Sequence, residues 1–273
     1  MNPTDHADAD ATLVPEAEPS DWPLHGLADD MRPALAGALA RGPAALATII
    51  FLGDGGPRPV GTQMVFGQDA LGGGSRAGFL SGGCIEADVE GHARACMVDG
   101  RPRRLVYGEG SPWPDIRLLC GARIEILVER ITPDDSAARA LLALTAARAP
   151  AIWISDGDQR RCAPAAEDIQ PWPGAFSRRF DPPPRLVVFG GDPTALAVAG
   201  LGAQSGFQTT LVRPKGPTSP PPLPGVAYRR DEVAAAVASI GLDAWTAVAI
   251  CGHDEAIDHQ ALLAALPSAA PYV

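Results

Sequence analysis

Lysine is almost missing from this chain: of 22 basic residues, only Lys215 is a lysine. A Schiff-base or Walker-type lysine therefore has one candidate, and it stands in a proline-rich loop. The five cysteines (Cys84, Cys96, Cys120, Cys162 and Cys251) are odd in number and form no CxxC pair. That pattern argues against a disulfide framework and against a structural zinc site. The longest apolar run, Ala44–Leu52, falls far short of the roughly 20 residues needed to cross a bilayer. The N-terminus lacks the basic and apolar regions of a secretory signal. A cytoplasmic protein with no membrane partner is the expectation.

Positive charge has no stripe or patch. The net charge is −10, and residues 1–30 hold eight acids with no Lys or Arg, so the remaining residues carry only −2. Without a basic track to neutralise phosphates, nucleic acid is not an expected partner. The acidity belongs to a tail rich in Ala, Asp, Pro and Glu, a composition that does not build a core.

What is present fits two domains. The chain has 273 residues, 46% of them hydrophobic and 20% charged, enough for sizeable cores. The expected division is an acidic disordered tail (1–28), a first domain (29–165), a Pro-rich linker (166–184) and a second domain (185–273). In the first domain, Asp29–Gly42 reads as a helix and "ALATIIFL" as a buried strand, with "TQMVF" alternating as another. "GQDALGGGSRAG" reads as a turn and "FLSGG" as the end of a short strand. A helix follows from Ile85, with Val89, Ala93, Cys96 and Met97 on one face, closed by Gly100. "RRLVYG" and "ARIEILVERI" are strands, then a helix over "PDDSAARALLALTAARA" and a strand at "AIWISD". Beyond 185, apolar strands alternate with helices, as in a parallel sheet covered on both faces. The fold class expected is α/β: an N-terminal mixed α/β domain followed by a Rossmann-like parallel-sheet domain. Incompleteness is expected at its C-terminal end, because a further strand would start at Pro271-Tyr272-Val273.

Two glycine turns carry the candidate chemistry. In the second domain, Gly190-Gly191-Asp192-Pro193-Thr194-Ala195 follows the first strand. A dinucleotide-binding turn wants a second glycine where Asp192 stands, so that the pyrophosphate can approach. Arg213 ends the next strand, where an acid would hold a ribose. NAD(P) is therefore an unlikely cofactor. In the first domain, Ser81-Gly82-Gly83-Cys84 precedes a helix, whose unpaired N–H groups suit an anion and whose positive end favours a thiolate. By helical spacing Asp88 lies near Cys84 and Glu86 points away. Cys120-Gly121 sits just before a strand. Buried cysteines are common in cores, and this reading holds for Cys96, Cys162 and Cys251. For Cys84 and Cys120, spacing alone leaves packing and chemistry open.

Segment order adds to this. "ALATIIFLGDGGPRPVGTQMVF", "LSGGCIEADV" and "LLCGARIEILVE" resemble successive signature segments of the XdhC/CoxI family. "LVVFGGDPTALAVAG" and "AVAICGHDEAIDHQALLAAL" are similar to that family's Rossmann-like domain. The resemblance implies a non-enzymatic chaperone that binds the molybdenum cofactor (molybdopterin type) as cargo. It would hold that cargo while a cysteine desulfurase supplies the sulfido ligand, and deliver it to the large subunit of a xanthine-dehydrogenase-type molybdenum hydroxylase; a homodimer is the family's expectation. It also implies cofactor-binding roles for Arg58, Ser81, Gly82, Gly83, Cys84, Cys120, Gly121, Gly190, Gly191, His253 and Asp254, with Cys84 and Cys120 as molybdenum contacts. The sequence departs from the pattern at Asp54-Gly55-Gly56, which replaces hydroxyl-bearing residues, at Ala122 and at Asp192. Two other readings stand beside it: an NAD(P)-dependent oxidoreductase, supported by fold alone, and a degenerate member acting only as an interaction protein.

Overall fold

The structure is a computed structural model that describes residues 29–53, 56, 58–69, 72–111, 118, 121 and 123–273. The expected acidic tail and Cys120 lie outside the described residues. Helix α1 (Arg32–Leu39), with Pro33 in its first turn, leads into β1 (Ala44–Leu52). Strands β2 (Gln63–Gln68) and β3 (Gly74–Gly78) form a hairpin, α2 (Glu86–Asp99) crosses back, and β4 (Arg103–Tyr107) and β5 (Ile124–Ile131) follow. These five strands make one antiparallel sheet in the order β3-β2-β1-β5-β4. β3 falls on "GSRAG", which the sequence reads as a turn. Its glycines carry no strand signal, and it is held as an edge by pairing with β2.

The apolar alternation of β1 explains the layering. Ala45, Ala47 and Ile49 face one core with Val89, Ala93 and Cys96 of α2, while Ala44 and Leu46 face a second core with α1. Helix α3 (Ser136–Ala146) closes that second core together with Trp153 and Phe180. Those two aromatics belong to a small antiparallel sheet of β6 (Ala151–Ser155), β7 (Arg160–Pro164) and β8 (Phe176–Phe180), ordered β7-β6-β8. The segment expected to be a linker, 166–184, therefore contains a strand that pairs with β6. Its prolines flank "FSRRF" without interrupting it, and Phe180 is buried.

A polar cluster joins the two sheets. Glu129 of β5 is 1% exposed and accepts from Ser155 Oγ at 2.6 Å and from Arg160 Nε at 3.0 Å. Arg160 also reaches Asp135 at 2.6 Å, and Asp135 caps α3 through the Ala138 N–H at 2.8 Å. Burial pushes the Glu129 carboxyl above its usual value, and Arg160 pulls it back.

The remaining strands β9 (Arg185–Gly190), β10 (Gln208–Val212), β11 (Val226–Arg229) and β12 (Thr246–Cys251) form a parallel sheet in the order β11-β10-β9-β12. Helices α4 (Pro193–Gln204), α5 (Val233–Ile240) and α6 (Glu255–Ala265) cover it. Beside β12, where a further strand is expected, Tyr272 makes an isolated parallel bridge to Ala247. Arg148, just past α3 and in the left-handed conformation (φ 51°), ties this sheet to the preceding elements. Its guanidinium donates to Asp243 at 2.5 and 3.2 Å, to the Pro183 carbonyl at 3.1 Å and to Gln208 at 3.2 Å. Burial alone would raise the Asp243 carboxyl, but hydrogen bonds from Arg148, Thr246 and the Trp245 N–H bring it down to about 2.

Arg160→Ala is expected to lower stability by about 3–5 kcal/mol, because it leaves Glu129 buried without its charge partner. Urea unfolding would measure this. The double variant Glu129→Leu, Arg160→Met should lose much less, since it removes both charges together.

Candidate functional site

The turn before α2 is built around an acid. Gly82 and Gly83 have φ of 99° and 103°, and a Cβ on either would meet nothing within 4 Å. Conformation, and not space, calls for glycine there. The reversal lets Glu86, 5% exposed, fold back into the turn. Its Oε1 accepts from the N–H groups of Leu80 (3.0 Å) and Ser81 (2.7 Å). Its Oε2 accepts from Ser81 Oγ (2.7 Å), Gly83 N–H (2.9 Å) and Ile85 N–H (3.2 Å). Ser81 Oγ in turn accepts from the N–H groups of Cys84 (3.1 Å) and Ile85 (3.3 Å).

This arrangement overturns the expectation for Glu86. Glu86 does not point away: its carboxylate takes up the donors that an external anion would have used. Burial would raise its pKa, but the hydrogen bonds from the Ser81 hydroxyl and from the backbone of Ser81 and Leu80 prevail and lower it. Asp88 is engaged by Tyr107, whose hydroxyl donates to it at 2.5 Å, and stands 3.6 Å from His92. Burial, then the bond to Asp88, holds the phenol proton far above its ordinary range. Cys84 is left exposed on this turn.

The other site residues are held by contacts of their own. Gly121 has φ 72° and donates to the Leu118 carbonyl at 2.9 Å, and a Cβ there too would meet nothing within 4 Å. Arg58 donates to Asp29 in a corner between the loop after β1 and the start of α1. Gly190, Gly191, His253 and Asp254 line a cavity of about 330 Å³ at the C-terminal ends of β9, β10 and β12. This is where parallel α/β sheets commonly bind ligands. Among the described residues its lining runs from Gly190 to Asp258, and neither Arg58 nor Ser81–Cys84 is part of it.

Within that cavity Asp192 is committed. One of its oxygens caps α4 through the Ala195 N–H at 2.8 Å, and the other faces His253 Nε2 at 3.1 Å. Lys215 pairs with Asp254 at 2.7 Å, while Asp254 also caps α6 through the Ile257 N–H at 3.3 Å. A Cβ on Gly190 would lie 2.6 Å from the Cys251 carbonyl, and one on Gly191 would lie 2.2 Å from Arg213 Nε. Gly190 is therefore needed for close approach to the backbone of β12, and at Gly191 the Arg213 side chain crosses the turn where a pyrophosphate would come in. Cys96 is buried in the core, where burial raises its pKa; Cys162 is raised to about 11 by burial. Sequence reasoning missed the Glu86 role, which no capping spacing announces: Ser81 and Glu86 stand five apart, and α2 has no side-chain N-cap. It also missed Asp192 as a cap, which the following Pro193 announces.

Comparison with known proteins decides the family. Residues 38–108 match the XdhC and CoxI family, and residues 186–273 match the XdhC Rossmann domain, together more than half of the chain. The chain belongs to the XdhC/CoxI family. Over 169 residues it is 32% identical to the molybdenum cofactor insertion chaperone PaoD of Escherichia coli (strain K12), covering 62% of this chain and 52% of that one. The chain thus spans about half the length of this curated relative. A crystal structure of a protein described as a xanthine dehydrogenase from Bacillus halodurans aligns with a TM-score of 0.60 at 20% identity. That alignment covers 86% of this chain and 77% of the other, a likeness of fold.

Glu86→Gln should destabilise the protein at pH 7 by about 1–3 kcal/mol, because an amide cannot accept from all of these donors. The folded-state pKa of Glu86 is depressed, so its contribution is complete above the unfolded value near 4.3 and fades as pH falls through the folded value. The stability gap between wild type and variant should accordingly shrink in acid. A gap that stays constant from pH 7 to pH 3 in chemical denaturation would contradict this role.

Proposed function

We propose that this XdhC/CoxI-family chain is a molybdenum-cofactor chaperone. It would hold the mature cofactor while its sulfido ligand is installed and pass it to a xanthine-dehydrogenase-type molybdenum hydroxylase. The observation that carries the reading is the 32% identity to the PaoD chaperone, and the exposed thiol on a rigid glycine turn agrees with it. In this mechanism Cys84 is a soft donor to the molybdenum centre or its dithiolene. Cys120 and Gly121 would complete the contact, and Arg58 would face the pterin phosphate. The turn would need no reorganisation on binding, because Glu86 has already fixed it. The partners proposed are a cysteine desulfurase and the hydroxylase large subunit, with a second copy of the chain as a dimer partner. Gly190, Gly191, His253 and Asp254 are proposed to bind part of the same cargo. The chain would act without catalysing a reaction of its own.

The oxidoreductase reading gains nothing from the second cavity. The N–H that a pyrophosphate would use at the start of α4 is bonded to Asp192, and the Arg213 side chain lies against Gly191. NADPH should therefore show no saturable change in fluorescence with the purified protein. A micromolar titration curve that Asp192→Gly tightens would restore that reading.

Protein purified from a molybdenum-replete host should carry a pterin, detectable as a fluorescent oxidation product after denaturation. A Cys84→Ala, Cys120→Ala double variant should lose most of it. Full retention in that variant would remove both thiols from cargo binding, and stable capture of a hydroxylase with no pterin would favour a purely interacting protein.

A further inference from the structure

Two arginines converge on a small cavity of about 220 Å³ whose walls include Asp29, Arg58, Gly61, Thr62 and Arg178. Arg178 comes from β8, in the segment the sequence presents as a linker. Arg58 Nε and Arg178 Nη1 are both buried and have no hydrogen-bond partner among the described residues. Buried donors are nearly always paired in native proteins, and these two belong to arginines that line the same corner, which leaves both guanidinium groups with capacity for an acceptor from outside. We infer that Arg58 and Arg178 form a seat for a phosphoryl oxyanion, with Asp29 as its internal, displaceable counter-ion.

The neighbouring charges support this assignment. Asp30 makes no hydrogen bond to Arg178, because its carboxylate is committed to Arg32 at 2.7 and 3.0 Å. Arg32 is further fixed by the Asp181 carbonyl at 2.8 Å. Asp29 reaches Arg58, but its side chain is 80% exposed, and an ion pair so open to water is weak. A phosphoryl group offers more charge and several oxygens to two guanidinium forks, and can displace it. Arg178 is held in readiness: its guanidinium stacks 4.2 Å over the Phe180 ring, and its stem packs on Gly61. Burial, with Arg32 adding to it and Asp30 opposing, brings the Arg178 pKa down to about 10, so it keeps its charge at neutral pH. The cavity is smaller than the roughly 300–1,000 Å³ that holds a whole small molecule, so it would take the charged end of a ligand whose body lies outside. This deepens the chaperone reading, on which the choice of a pterin phosphate as the natural occupant rests; the seat itself rests on the two arginines.

Titration of the full chain, freed of pterin, with inorganic phosphate at constant ionic strength tests the seat by calorimetry. Saturable binding is expected, with acetate markedly weaker. Arg178→Lys keeps the charge but not the fork, and should weaken phosphate binding about tenfold, the loss of one bidentate contact. Asp29→Asn, at an exposed position that threatens no core, should tighten it. No saturable phosphate binding, equal affinity in wild type and Arg178→Lys with native circular dichroism, or acetate binding as tightly as phosphate would each overturn the seat. Pterin that copurifies undiminished while phosphate fails to bind leaves the chaperone reading standing without the seat. Phosphate binding in a protein that never carries pterin does the opposite.

Discussion

An acid folded into its own turn is the constraint on which the candidate site depends. Five hydrogen bonds converge on the Glu86 carboxylate, and they fix both the entry of α2 and the direction of the chain around Cys84. Charge-assisted bonds of this kind are stronger than neutral ones, and here they replace the water that a helix start would otherwise recruit. The arrangement divides labour within the site. Donors at the helix start are used to hold the turn in place, so anion recognition falls to side chains elsewhere, and the guanidinium groups of Arg58 and Arg178 are among those left with unmet capacity.

The same economy recurs in the parallel sheet. Asp192 and Asp254 cap the helices that follow β9 and β12, and each also pairs with a basic residue across the cavity mouth. Charges that might have met a nucleotide are paired with one another. The sheet is tied to the rest of the chain through Arg148, whose four hydrogen bonds reach three segments from a backbone conformation rarely taken by a residue with a side chain.

Much of the architecture was legible from periodicity. β1, β5 and the alternating elements beyond 185 are long apolar or alternating runs, and the sequence places them well. β3, β7 and β8 were not legible in that way, because glycines and arginines stand where strand formers are expected and pairing with neighbours overrides local preference. Glu86 was misread for a geometric reason. Counting 100° per residue from Cys84 presumes a helix there, but α2 begins at Glu86 and Cys84 still belongs to the turn. Segment order identified the family, and the residues 38–108 and 186–273 bear that out. Arg178 could not be nominated from sequence, since only the return of β8 to β6 brings it beside Arg58.

That return has a topological consequence. The chain leaves β7, runs out through its prolines and comes back for one more strand before entering β9. A seam cut at the proline-rich stretch would strip β8 from β6 and turn an interior strand into a raw edge with unpaired backbone. It would also carry Phe180 away from the core it closes. Any exchange of the parallel sheet between relatives has to place its junction after Phe180, so modularity in this chain begins later than its composition suggests.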